Sequence, residues 1–254
     1  MNACRILLLC FAIAFSYSSS AQPTNYLHAK FHEYQTNAEA GNAWAQVTLG
    51  YCYAHGKGVE TNYVEAFNWY RKAAAQTNAS AQAEVGYFYA NGLGVTTNYV
   101  EAVRWYRKAA ENKDAWARVT LGICYESGLG VDRNLTEAVK QYRLAADQND
   151  PWGQYEMGSY YTFQATNYFA AVSWYRKAAE NNNTLAQYYL GEYYANGQGV
   201  KTNLVEAYAW LTLAADESAA KLLQTVEKQM SLQQISDAKK RAEELKAKIK
   251  TKRN

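Results

Sequence analysis

Few residues in this chain of 254 amino acids could do chemistry, and they are scattered. His28 and His32 stand four apart with Glu33 beside them, so one face of a helix could offer two metal ligands. A site needs a third, and the remaining histidine, His55, falls in a loop. Both therefore read as surface histidines, and no metal is expected. Ser218-Ala-Ala-Lys221 has the spacing of a lysine-activated serine nucleophile, but the Ser-Asp-Asn and Lys-Thr-Gly motifs that complete such a site are missing. Ser218 also suits a helix cap. Four Gly-x-Gly pairs begin at Gly56, Gly92, Gly128 and Gly197. Phosphate-cradling glycines follow a strand and precede a helix, whereas these close helical segments and read as turns. With no nucleophile elbow, ligand cluster or phosphate loop, neither a catalytic residue nor a cofactor is expected.

The elements around these residues repeat. Gly50, Gly86, Gly122, Gly158 and Gly191 lie 36, 36, 36 and 33 residues apart, each after a Leu, Val or Met. Trp-Tyr-Arg-Lys-Ala-Ala occurs at Trp69, Trp105 and Trp174, with weaker copies at Gln141 and Trp210. A period in the thirties with two helix-sized halves predicts an all-α fold, a solenoid of stacked antiparallel helix pairs. Asn42, Asn78, Asp114, Asp150 and Asn183 stand where the first helix of each pair needs its N-cap. Glycine closes that helix in four copies. Asn62, Asn98, Asn134 and Asn203, each with Glu three residues later, start the second. The fourth copy is three residues short between Tyr161 and Asn167 and lacks both loop glycines, which predicts a local bend or a weak point.

The resulting plan has a leader at 1–21, a capping helix at 22–42 and repeats at 43–78, 79–114, 115–150, 151–183 and 184–219, followed by C-terminal helices with a basic tail at 220–254. In the leader, Arg5 precedes ten apolar residues, Ile6 to Phe15, and small residues end at Ala21. That describes a secretory signal peptide, too short for a spanning helix; a short membrane anchor is the competing reading. Export to the periplasm or medium is the expectation, with no transmembrane segment. Cys4 and Cys10 leave with the leader. Cys52 and Cys124 occupy the same slot two repeats apart, too far for a bridge, so no disulfide is expected and both read as packing groups. Residues 239–254 carry eight basic and two acidic side chains, whereas 22–238 carry 17 basic and 21 acidic. A nucleic-acid surface would need a basic face across the repeats, so that partner class is excluded. The stripe Ile235, Ala238, Ala242, Leu245, Ile249 makes the last helix either a cap or a coiled-coil partner.

Ala45-Gln46, Leu49-Gly50 and Tyr53, the Gly-x-Gly-Val loop and Glu-Ala…Trp-Tyr-Arg-Lys-Ala-Ala together resemble the Sel-one-like repeat, a tetratricopeptide-related family. Five successive copies cover Ala43 to Ala215. The resemblance implies a right-handed superhelix with a concave face, and scaffold or adaptor work rather than catalysis. Secreted, cysteine-rich relatives have been linked to β-lactam binding, but they carry cysteine pairs within each repeat, which this chain does not. A weak hydrolase or cell-wall-ligand binder on the same scaffold is the alternative function. The basic tail docking on anionic lipid or glycan is a third.

Comparing the five copies separates two faces. With the repeat glycine at zero and 100° per residue, the near-invariant positions −5, −4, −1, 0 and +3 share one arc and should pack. The variable positions share the opposite arc, which the resemblance places on the concave groove. There stand Trp44, Val47 and Tyr51; Tyr87 and Asn91; Trp116 and Ile123; Trp152 and Tyr155; Tyr188, Glu192 and Asn196. An aromatic, lightly charged groove suits a protein or peptide partner. For Trp44, Trp116 and Trp152 the competing role is to fill space between neighbouring first helices.

Overall fold

The computed structural model describes residues 24–251, so the leader expected at 1–21 lies outside the described residues. Thirteen α-helices, and no strand, occur among the described residues. Contacts divide the chain between Ala138 and Val139 into two compact units. The first unit holds α1 (Thr24–Glu39), α2 (Ala43–His55), α3 (Tyr63–Ala75), α4 (Ala79–Asn91), α5 (Tyr99–Glu111) and α6 (Ala115–Ser127). The boundary falls inside α7 (Leu135–Ala146). The second holds α8 (Pro151–Phe163), α9 (Tyr168–Glu180), α10 (Thr184–Asn196), α11 (Leu204–Ala214), α12 (Glu217–Glu227) and α13 (Leu232–Thr251). No helix of the described residues is long and apolar enough to cross a membrane.

Each first helix starts where its cap predicts. Asn42, Asn78, Asp114, Asp150 and Asn183 accept from the backbone N–H three residues on, at 2.7–2.9 Å. Each such cap contributes about 1 kcal/mol. Gly56, Gly92, Gly128 and Gly197 close the first helices in the left-handed conformation. The second helices end differently. The turn back uses Thr77, Lys113, Asn149 and Asn182, all with φ between 62° and 66°, so a non-glycine residue bears the left-handed strain before each cap.

Within each unit the helix pairs lock by ring into glycine. In the second helix the Tyr70, Tyr106 and Tyr175 rings are fully buried, and each fills the place a side chain on Gly50, Gly86 or Gly158 would take. In the fifth repeat Leu211 plays that part against Gly191. The −4 glutamine joins consecutive repeats. Gln46, Gln82 and Gln187 donate to the carbonyls of Ala38, Ala74 and Ala179. In turn Gln46, Gln82 and Gln154 accept from Gln76, Asn112 and Asn181 at 2.9 Å. In the last repeat the ladder runs out, and the buried Gln187 Oε1 is left without a donor among the described residues.

Repeat four makes its turn without glycine. Thr166 takes φ 48°, and Asn167 accepts from Ala170 N at 3.0 Å to start α9. Thr162 Oγ1 bonds the hydroxyls of Tyr193 (2.6 Å) and Tyr175 (3.3 Å), so the short turn rests on a buried aromatic cluster. At the ends of the chain, Phe31 and Ala38 of α1 bury against Ala45, Leu49 and Cys52. In α13, Ala238, Ala242, Leu245 and Ile249 are buried, Arg241 pairs with Glu206 at 2.7 Å and Lys248 with Glu180 at 3.0 Å. The C-terminal stripe is thus spent inside the second unit. Ser231 and Gln234 form the reciprocal capping box that starts α13.

Candidate functional site

The first helices carry the candidate residues, and the two units are described in turn. In the first, Trp44 is 65% exposed, with Tyr34 edge-on at 5.8 Å. Val47, Tyr51, Tyr87, Asn91 and Trp116 are part-buried. Tyr51 stacks on His55, one turn later, at 4.1 Å, and His55 Nδ1 lies 3.0 Å from the Tyr51 carbonyl. Asn91 Nδ2 donates to the Tyr87 carbonyl. The Tyr87 and Trp116 rings meet edge to face at 6.3 Å, and Trp116 meets the buried Tyr106 at 5.7 Å. Tyr51, Tyr87 and Trp116 therefore each keep part of a ring at the surface while the rest is held by packing. That is the arrangement in which an aromatic anchor contributes to binding at low entropic cost.

In the second unit Trp152, Tyr188 and Glu192 are part-buried and Asn196 is exposed. Trp152 packs edge-on against Tyr155 at 6.0 Å. Burial raises the Glu192 carboxyl and the Tyr188 hydroxyl above their ordinary ranges, the latter with help from the Glu192 charge.

Two expected groove residues need correcting. Ile123 is 3% exposed and Tyr155 is 5% exposed, so neither presents a surface to a partner. Tyr155 turns between Tyr175 at 5.8 Å and Tyr189 at 6.1 Å and becomes core. Positions −3 and +1 lie inside the variable arc, at about 60° and 100°, so their own helix face does not bury them; a large side chain there is covered where a neighbouring helix supplies packing atoms to receive it. The Ser218 reading also changes. Asp216, not Ser218, caps α12, and Lys221 is held by Glu217 at 2.7 Å, so serine and lysine do not form a pair. Cys52 and Cys124 are buried free thiols; burial raises both, Cys124 to about 12, which suppresses the reactive thiolate.

One group was not anticipated. Glu84, at position −2 of the second repeat, lies one turn before Tyr87 on α4 and faces the same way. It is part-buried and makes no hydrogen bond or ion pair among the described residues. Burial, with the Asp114 charge adding to it, pushes its carboxyl up to about 7. A charge in an otherwise aromatic stretch was the signal in the sequence, since the same slot holds Thr48 and Thr120 in the flanking repeats.

A carboxyl whose pKa is raised on folding supports the fold when protonated and opposes it once ionised. The stability lent by neutral Glu84 is complete below the ordinary value of 4.5 and is lost as pH rises through about 7. Glu84→Gln is therefore expected to raise stability by about 1–3 kcal/mol at pH 8 and to change it little at pH 4. Urea midpoints at the two pH values check this; an equal effect at both would remove the desolvated carboxylate.

The Sel1 repeat family model matches residues 45–78, 79–114, 120–150, 153–183 and 184–218. Among solved structures, a Sel1 repeat protein from Oxalobacter formigenes is 32% identical, with 87% of this chain and 86% of that chain aligned at a TM-score of 0.71. The protective antigen c5321 of uropathogenic Escherichia coli, which has an SLR fold, is 22% identical over 98% of this chain and 73% of its own, at a TM-score of 0.51. Immunity protein Pa5087 from Pseudomonas aeruginosa is 21% identical over 93% and 83%, at 0.54. The last two likenesses speak to fold alone. Comparison with curated proteins finds no match.

Proposed function

The chain belongs to the Sel1 repeat family, and from that premise we propose that it is an exported, non-catalytic adaptor that holds a protein or peptide partner on the faces of its first helices. Proteins of this family are typically scaffolds for protein interaction. The observation that carries the reading is the set of rings that repeat packing leaves partly uncovered: Trp44, Tyr51, Tyr87 and Trp116 in the first unit, Trp152 and Tyr188 in the second. Rings held by neighbours on one side and open on the other are suited to anchor an extended segment or a partner's helix. The export half rests on the basic, apolar and small-residue order of the first 21 residues.

The test compares wild type with a Tyr51→Ala, Tyr87→Ala, Tyr188→Ala variant of unchanged helicity in capture from the source organism's envelope fraction. Identified captures are then re-measured as purified pairs. Each lost anchor is expected to cost about 1–2 kcal/mol, so a genuine partner falls at least tenfold in affinity. A partner held equally by both proteins would move the binding surface off the first helices. A protein found only in the cytoplasm would remove the export half.

A further inference from the structure

The adaptor reading leaves the chemistry of the partner open, and the first unit supplies it. Resting on that reading, we infer that the partner presents a lysine or arginine, whose aliphatic stem lies along Tyr51, Tyr87 and Trp116 and whose cationic head sits on the Glu84 carboxylate.

Four observations combine. Glu84 is an acid beside this face, it stands one turn from Tyr87, and no cation or hydrogen-bond donor engages it among the described residues. Among the described residues, the neighbouring charge that acts on Glu84 is of like sign. From α3 comes the neutral, buried Tyr70, close enough to feel both Glu84 and Tyr51. From the start of α6 comes Asp114, whose charge works against ionising Glu84. Asp114 spends one oxygen on the Ala117 N–H at 2.7 Å, and the nearby Arg118 directs its Nε to the Ala110 carbonyl. From α2 comes His55, stacked on Tyr51.

The site is therefore an acid in a partly dry setting, walled by aromatic faces and short of a counter-charge. An aromatic face attracts a cation within about 6 Å, and the attraction strengthens when water is excluded. A neutral or acidic segment would leave Glu84 buried and unpaired, which is costly; a basic one removes that penalty. The long stem of lysine or arginine covers the rings while its head reaches the carboxylate.

The test uses the whole chain, labelled with nitrogen-15, at pH 8, where Glu84 is ionised. The probes are blocked alanine heptapeptides with a central lysine, norleucine or glutamate, and the readouts are amide signals near residues 51 and 87 and the indole N–H of Trp116. The lysine peptide is expected to bind at least tenfold tighter than the norleucine peptide, and Glu84→Gln is expected to abolish that preference. Because Glu84→Gln is expected to stabilise the fold, a loss of preference cannot be ascribed to unfolding. Equal binding of the lysine and norleucine peptides would overturn the charge inference and leave the aromatic face standing. Failure of every peptide to move these signals would remove the face as well. Concentration-dependent self-association that Glu84→Gln abolishes would seat the chain's own basic end there and overturn the separate partner.

Discussion

Alanine at Gly130 is expected to destabilise the protein by about 2–5 kcal/mol, while alanine at Gly128, two residues earlier, costs about 1–2 kcal/mol. Both glycines have left-handed backbones, with φ of +70° at Gly128 and +69° at Gly130, so both substitutions carry the same conformational strain. They differ in surroundings. A methyl on Gly128 would find its nearest atom, Arg133 Cβ, at 3.5 Å, an ordinary contact. A methyl on Gly130 would overlap the carbonyl of Tyr99, the first residue of α5 in the preceding repeat. Backbone cannot swing away as a side chain can, so the second glycine of the loop sets how closely consecutive repeats approach. Gly94 against Tyr63 and Gly199 against Tyr168 repeat the arrangement. Urea denaturation of the two variants checks the difference. Equal midpoints would mean that the loop only turns and does not dock.

The second large effect is expected at Tyr175. Its ring is fully buried against Gly158, stacks on Tyr189 at 5.1 Å and meets Tyr155 and Tyr193 at 5.8 and 5.7 Å. Tyr175→Ala should cost about 3–5 kcal/mol through lost burial and the cavity left behind. Tyr175→Phe keeps the ring and gives up only the 3.3 Å bond from Thr162, so it should cost about 1 kcal/mol. Gly158→Ala supplies an internal control. Its methyl would meet the Tyr175 ring at 2.6 Å, so it should be harmful in wild type and much less so beside Tyr175→Ala. Additive effects of Gly158→Ala and Tyr175→Ala would contradict the ring-into-glycine packing.

The repeat period, both sets of helix starts and the glycine stops of the first helices were legible because they depend on local chemistry. An asparagine before a helix accepts from the third N–H whatever the tertiary setting, and a loop glycine is needed for its own backbone. The ends of the second helices were hidden for the converse reason. Thr77 and Lys113 occupy left-handed backbone that their side chains disfavour, and their turns are closed by backbone bonds to the Ala74 and Ala110 carbonyls, which no residue type announces. The candidate surface was legible in part. Angular bookkeeping separated Gly50 and Leu49, which pack, from Trp44, which is exposed. It failed for Tyr155, whose burial is decided by Tyr189 of the next repeat, 34 residues away in sequence. Glu84 went unnoticed because its slot varies from copy to copy (Thr48, Thr120, Glu156 and Tyr189 elsewhere), and comparison of copies favours what recurs.

The most direct measurement is photo-crosslinking in the native cell with a benzophenone amino acid placed singly at Trp44, Tyr87 and Tyr188, and at Arg71 and Arg104 on the second helices. The adaptor account predicts a shared partner adduct from the first-helix positions and none from Arg71 or Arg104. Adducts confined to the second-helix positions, with positions 44, 87 and 188 silent, would contradict it.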